Sequence, residues 1–166
     1  MYLILTTTLN PSSLDGQEKG SPEESKKISL RGIKSIEVIV EDLNEEAEED
    51  GLKRVQILND IELRLREHGI KNTPIYEQEK QSGHACLYIN VNIHKLYKSQ
   101  IYIFGLNVEL HQVVSLARAP NITVFAITWD REITGKVGKS YIHTIRGNIL
   151  DSVDIFANDF LSVNQS

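Results

Sequence analysis

Thiols, excess positive charge and long apolar runs are all scarce in this chain, and each scarcity excludes something. Its one cysteine, Cys86, leaves no intrachain disulfide framework and no multi-cysteine zinc site. A lone thiol fits either redox compartment. Lys and Arg number 18 against 23 Asp and Glu, for a formal net charge of -5 and a pI of about 5.5. A non-specific binder of nucleic acid or of an anionic membrane surface needs the opposite balance. The N-terminal run Met1 to Leu9 (MYLILTTTL) has no basic residue ahead of it and is too short for a signal-peptide core or an integral membrane segment. As the sequence stands, the protein reads as soluble and cytoplasmic. If the true start lies upstream, MYLILTTTL is the remnant of a leader and the protein is exported or periplasmic.

What is present supports one folded domain. At 166 residues and 40% hydrophobic, the chain can build a full core but not two sizeable ones. Asn10 to Lys27 hold Pro, Gly, Ser and charge with almost nothing to bury, and residues 1–29 are expected to form a disordered arm ahead of a single domain over 30–166. The clearest architectural signal lies between Ala85 and Leu116. Leu87, Ile89, Val91 and Ile93 alternate with Tyr88, Asn90, Asn92 and His94; Phe104, Leu106, Val108 and Leu110 alternate with Gly105, Asn107, Glu109 and His111. Period-two alternation on both sides of a polar turn at Tyr97 to Gln100 predicts a long β-hairpin with Cys86 opposite His111 and Tyr88 opposite Glu109.

Around it, Ile36, Val38 and Val40 mark a first strand. After an acidic linker, Leu52, Val55, Leu58, Ile61 and Leu65 mark a helix that Gly69 stops. Pro74 limits Thr73 to Glu77 to an edge strand. Beyond the hairpin, Ile122 to Trp129 forms a strand with Phe125, Ile127 and Trp129 on one side. A polar connection, DREITGKVGKS, then leads to a terminal helix with a stripe of Ile142, Ile145, Ile149, Val153, Phe156, Phe160 and Val163. The order β-α-β-β-β-β-α, with short connections, predicts an α+β fold: a mainly antiparallel sheet of four to five strands with two helices packed on one face.

The segments RGIKSIEVIVEDLN, GLKRVQILNDIELRLREHGI and DSVDIFANDFLSVN, with the polar hairpin and ITW between them, resemble a family of small bacterial proteins of uncharacterised function, many of them exported. The resemblance covers residues 30 to 164. The topology is similar to that of the N-terminal domain of TolB, and neither resemblance implies catalytic residues.

Three groups are candidates for chemistry. The polar row Tyr88, Asn90, Asn92, Asn107, Glu109 and His111 would make a contiguous hydrogen-bonding face able to receive another protein, although one face of an antiparallel sheet is often simply solvated. Gly135 to Ser140 (GKVGKS) ends like a phosphate-binding loop, but Ile133 stands where that motif needs its first glycine. What remains is an anion contact by Lys136, Lys139 and Ser140, or a plain polar loop. Cys86, His111 and Glu109 could supply a nucleophile and base or metal ligands. No H-x-H, H-x3-H or C-x2-C spacing reinforces this, and cysteine is commonly just buried. No cofactor is implied. The sequence points to a non-enzymatic binding or accessory module, monomeric or weakly dimeric. A small hydrolase or metal-dependent enzyme built on Cys86, His111 and Glu109 is the alternative. Self-association is the third possibility, through a strand edge at Thr73 to Glu77 or Asn121 to Trp129.

Overall fold

The computed structural model describes residues 21–74 and 85–164. Four strands, β1 (Glu37–Val40), β2 (Ala85–Lys95), β3 (Ile101–Leu116) and β4 (Ala119–Gly138), form one sheet in the order β1-β2-β3-β4. With them are four α-helices, α1 (Pro22–Ile28), α2 (Glu45–Glu49), α3 (Arg54–Glu67) and α4 (Ile145–Asn164), the last preceded by a 3-10 turn over Lys139–Thr144. The fold is α+β, as the element order predicts, with two corrections to the expected layout: the sheet is mixed, and among the described residues there are four α-helices instead of two.

The hairpin has the predicted register, with Cys86 opposite His111, Tyr88 opposite Glu109 and Asn90 opposite Asn107. Leu87, Ile89, Val91 and Ile93 are buried against the helices together with Phe104, Leu106, Val108 and Leu110. β1 supplies the parallel component. It pairs with β2 from Glu37 opposite Cys86 to Val40 opposite Ile89, because the chain crosses the core face through α2 and α3 before it re-enters the sheet, as a parallel neighbour requires. Apolar alternation is the same in both orientations, so the pattern is blind to this difference.

β4 corrects a second expectation. The stretch read as a polar connection is strand, paired with β3 as far as Gly138 opposite Ile101. An edge strand over a one-sided core needs only one apolar row, and Trp129, Ile133 and Val137 provide it here. Gly135 belongs to the same row because the ring of Phe104 lies over it; a Cβ at that position would stand 2.8 Å from Phe104 Cζ. The ladder shifts between Leu110, which faces Trp129, and His111, which faces Ile127. Thr128 is the extra residue of this bulge. It reverses the alternation, so Trp129 is buried while Ile127 and Phe125 emerge on the other face, away from the side the sequence assigned them.

The two short helices, α1 and α2, are held by side-chain caps, and the two long ones by their buried rows. α1 lies inside the stretch expected to be disordered. Ser21 Oγ accepts from Glu24 N at 3.2 Å, Pro22 opens the helix, Glu23 and Glu24 fill its first turn and Lys26 and Lys27 its last. It docks through Lys26 Nζ to Asp130 Oδ1 (3.1 Å), Lys27 Nζ to Asp159 Oδ1 (2.8 Å) and Ser29 Oγ to the Thr128 carbonyl (3.1 Å), and buried Leu30 follows it. Composition alone misses such capped, ion-paired turns.

In α3 the buried row is Ile57, Ile61 and Leu65, and Val55 is exposed, which rotates the expected stripe. The helix ends as predicted. Gly69 is left-handed (φ 73), and Ile70 N bonds back to the Leu65 carbonyl at 2.9 Å. Only Thr73 and Pro74 of the expected edge strand at Thr73 to Glu77 are described; Thr73 N donates to the Ile36 carbonyl at 3.0 Å, beside a parallel bridge between Ile36 and Asn72. The rest of that strand, His84 and the run MYLILTTTL lie outside the described residues. Buried Ile145, Ile149, Val153, Phe156 and Phe160 of α4 close the core, with the Trp129 ring edge-on to Phe156 at 5.1 Å.

Candidate functional site

The buried rows of the helices all meet one face of the sheet. The register orders the other face into rows running from β1 to β4: Glu37, Cys86, His111, Ile127; then Ile39, Tyr88, Glu109, Asp130; then Asn90, Asn107, Glu132; then Asn92, Gly105, Thr134; then His94, Ile103, Lys136. All six residues of the predicted polar row therefore share one face.

Its centre is wired by hydrogen bonds. Glu41, just past β1, is held by its own amide donating to the Ile89 carbonyl at 2.9 Å, and its carboxylate accepts from both the Tyr88 hydroxyl and the Asn90 amide. His111 Nε2 lies 2.8 Å from Glu109 Oε2. The His111 ring sits between Tyr88, with centroids 5.2 Å apart, and Phe125, 5.5 Å apart. Beside this cluster stand exposed apolar side chains, Phe125 (60%), Ile127 (50%) and Val113 (48%). Asn92 is exposed and Asn107 half-buried. Fixed polar groups next to exposed aromatic and aliphatic area are the ingredients of a recognition surface.

Glu41, Phe125 and Ile127 were not legible as part of this group. Glu41 reaches it only because β1 is parallel to β2. The two apolar residues reach it only because of the bulge.

Cys86 is 7% exposed, and burial, with the negative charge of Glu37 nearby, pushes its thiol up to about 12. A thiol so placed stays protonated at neutral pH. The remaining described histidines are spread out. His94 lies at the far end of the open face and His143 in the 3-10 turn, while His68 caps α3 and shares Asp154 with Arg64, at 3.2 and 2.9 Å. Among the described residues no three His, Cys, Asp or Glu side chains are grouped as a metal site requires.

The candidate anion group is divided. Lys136 is exposed on β4 opposite Ile103, and Ser140 is exposed in the 3-10 turn. Lys139 Nζ is paired with Asp50 Oδ1 at 2.6 Å. Asp50 also accepts from the Tyr102 hydroxyl at 2.7 Å and lies 3.3 Å from Lys95 Nζ. The bonds from Lys139 and Tyr102 hold its carboxyl down at about 2. Burial first, then this carboxylate, pushes the Tyr102 hydroxyl up to about 12. The cluster ties α2 to the turn end of the sheet.

No family model matches the chain, and no curated protein matches it, so no family model stands behind the resemblance read over residues 30 to 164. Among solved structures, a minor lipoprotein from Acinetobacter baumannii is similar over 78% of this chain and 91% of that one, at 10% sequence identity and a TM-score of 0.39.

Proposed function

We propose that the protein is a non-enzymatic binding or accessory module that engages another protein through the open face of its sheet. The observation that carries this reading is the composite surface around His111. Its polar groups are already fixed by Glu41 and Glu109, while Phe125, Ile127 and Val113 are left with apolar area to bury. A pre-bonded polar set loses little freedom on association, and an exposed aromatic beside it is the kind of anchor on which binding energy concentrates. No helix among the described residues is long and apolar enough to cross a membrane.

The test is capture from extracts of the native cell, with Phe125→Asp and Asn107→Lys on the open face and Leu63→Asp on exposed α3 as control. A specific partner should lose at least tenfold in retention with each open-face variant and none with the control. Retention indifferent to the face, or lost equally with Leu63→Asp, would refute the reading.

A hydrolase or metal-dependent enzyme using Cys86, His111 and Glu109 is a second reading. Its support is the 2.8 Å contact between His111 and Glu109 on the strand opposite Cys86. The raised thiol pKa runs against it.

A further inference from the structure

Among the described residues β4 is an outer strand of the sheet, 20 residues long and paired only on its β3 side. Such an edge offers a row of backbone donors and acceptors to another strand. Part of it is already occupied. Ser29 Oγ donates to the Thr128 carbonyl at 3.1 Å, and Lys26 Nζ donates to the Asp130 carbonyl at 3.4 Å, so α1 covers the edge across the bulge. Those contacts fall in the Asn121 to Trp129 edge that the sequence singled out for self-association, and on the residue just past it. The stretch beyond, from Arg131 to Gly138, carries no such contact among the described residues.

The charges on this free stretch are self-complementary. Glu132 and Lys136 lie on the open face, two residues either side of Thr134, and both are exposed with no ion pair among the described residues. Suppose a second copy pairs antiparallel along the same edge, about a twofold axis at Thr134. Each Glu132 then stands directly opposite the other copy's Lys136, twice over, and Thr134 faces Thr134. On the helix side, Ile133 meets Gly135 and Arg131 meets Val137. Directly opposed opposite charges and Thr–Thr pairs both stabilise an antiparallel ladder. Moving the axis to residue 132 or 136 would instead set Glu132 against Glu132, or Lys136 against Lys136. An edge guarded against pairing is served by charges that repel across every such axis, and this one has a centre where they attract.

We propose that the Arg131 to Gly138 edge of β4 is a self-association surface whose partner is a second copy of this chain. The interface is isologous and closes at two. It joins two four-stranded sheets into one of eight strands, with both open faces on the same side.

Sedimentation velocity on the full chain from low to high micromolar should show a species of twice 18.8 kDa. Glu132→Lys alone and Lys136→Glu alone should each weaken the dimer at least tenfold. The double variant, which exchanges the two charges, should restore it. Under mild oxidation Thr134→Cys should form a covalent dimer, while Thr123→Cys, on the same strand but away from the axis, should not. A wild-type monomer at every concentration, single variants that dimerise as well as wild type, a double variant that stays monomeric, or equal cross-linking at positions 134 and 123 would each overturn the proposal.

Discussion

At the scale of the residue, Cys86 decides most about chemistry. Its side chain is on the open-face side of β2 yet nearly enclosed, and the negative charge of Glu37 adds to the cost of ionising it. A thiol raised from 9.0 to about 12 presents about a thousandfold less thiolate near pH 8 than an ordinary one, since the ionised fraction falls tenfold each time the pKa climbs by one. Reaction with a thiol reagent at pH 8 should therefore be about a thousandfold slower in the native protein than in guanidinium, and unfolding should abolish the difference. Native reactivity close to that of a free thiol would revive the hydrolase reading. Gly135 shows the complementary case, a residue whose value is the side chain it lacks, since the ring of Phe104 fills that space.

At the scale of the element, ties between segments matter more than the segments alone. α2 is a single turn, capped by Asn44, whose Oδ1 accepts from Ala47 N at 2.7 Å, and closed by Asp50. Asp50 fastens it to Lys95, Tyr102 and Lys139. Because the folded-state pKa of Asp50 lies below its ordinary 3.8, the stabilisation is complete above about 3.8 and disappears as the pH falls through about 2. Thermal melts should show wild type losing more stability than Asp50→Asn between pH 4 and 2, with the variant the less stable of the two at pH 7. Parallel curves would remove Asp50 as the anchor.

The elements also show what sequence could and could not convey. The β2–β3 register was readable because both arms alternate strictly around one short turn, and a one-residue slip would turn every apolar side chain outward. The end of α3 was readable because Gly69 has a specific backbone role. The length of β4 was not, since Asp130, Arg131, Glu132 and Lys136 give an edge strand the composition of a loop. The sides of Phe125 and Ile127 were inverted by one extra residue, Thr128. The Cys86, His111 and Glu109 juxtaposition was legible from register, whereas the wiring through Glu41 depended on β1 running parallel, which no alternation encodes.

At the scale of the whole molecule, one layer of helices covers one face of a mixed sheet. The net charge of -5 disfavours polyanionic partners, which is in keeping with the protein partner proposed for the surface around Phe125. Two copies joined along β4 would present that surface twice on one side. A bivalent partner would then gain from effective concentration without any new contact.

The parallel pairing of β1 also has a consequence in time. Strands β2, β3 and β4 follow one another through short turns. Glu37 and Cys86, by contrast, are 49 positions apart along the chain (86 minus 37), so their meeting requires a far larger loop to close. The three-stranded meander is expected to form first and β1 to join late, as the piece most easily lost. In native-state hydrogen exchange, the amides of Val38 to Val40 should open at a free energy below that of Leu106 and Val108 in the middle of β3, and pulse-labelling during refolding should protect them last. The molecule would then carry, in the outermost position that β1 holds among the described strands, a short strand that comes and goes while the rest stays folded, and Glu41, which grips Tyr88 and Asn90, would come and go with it.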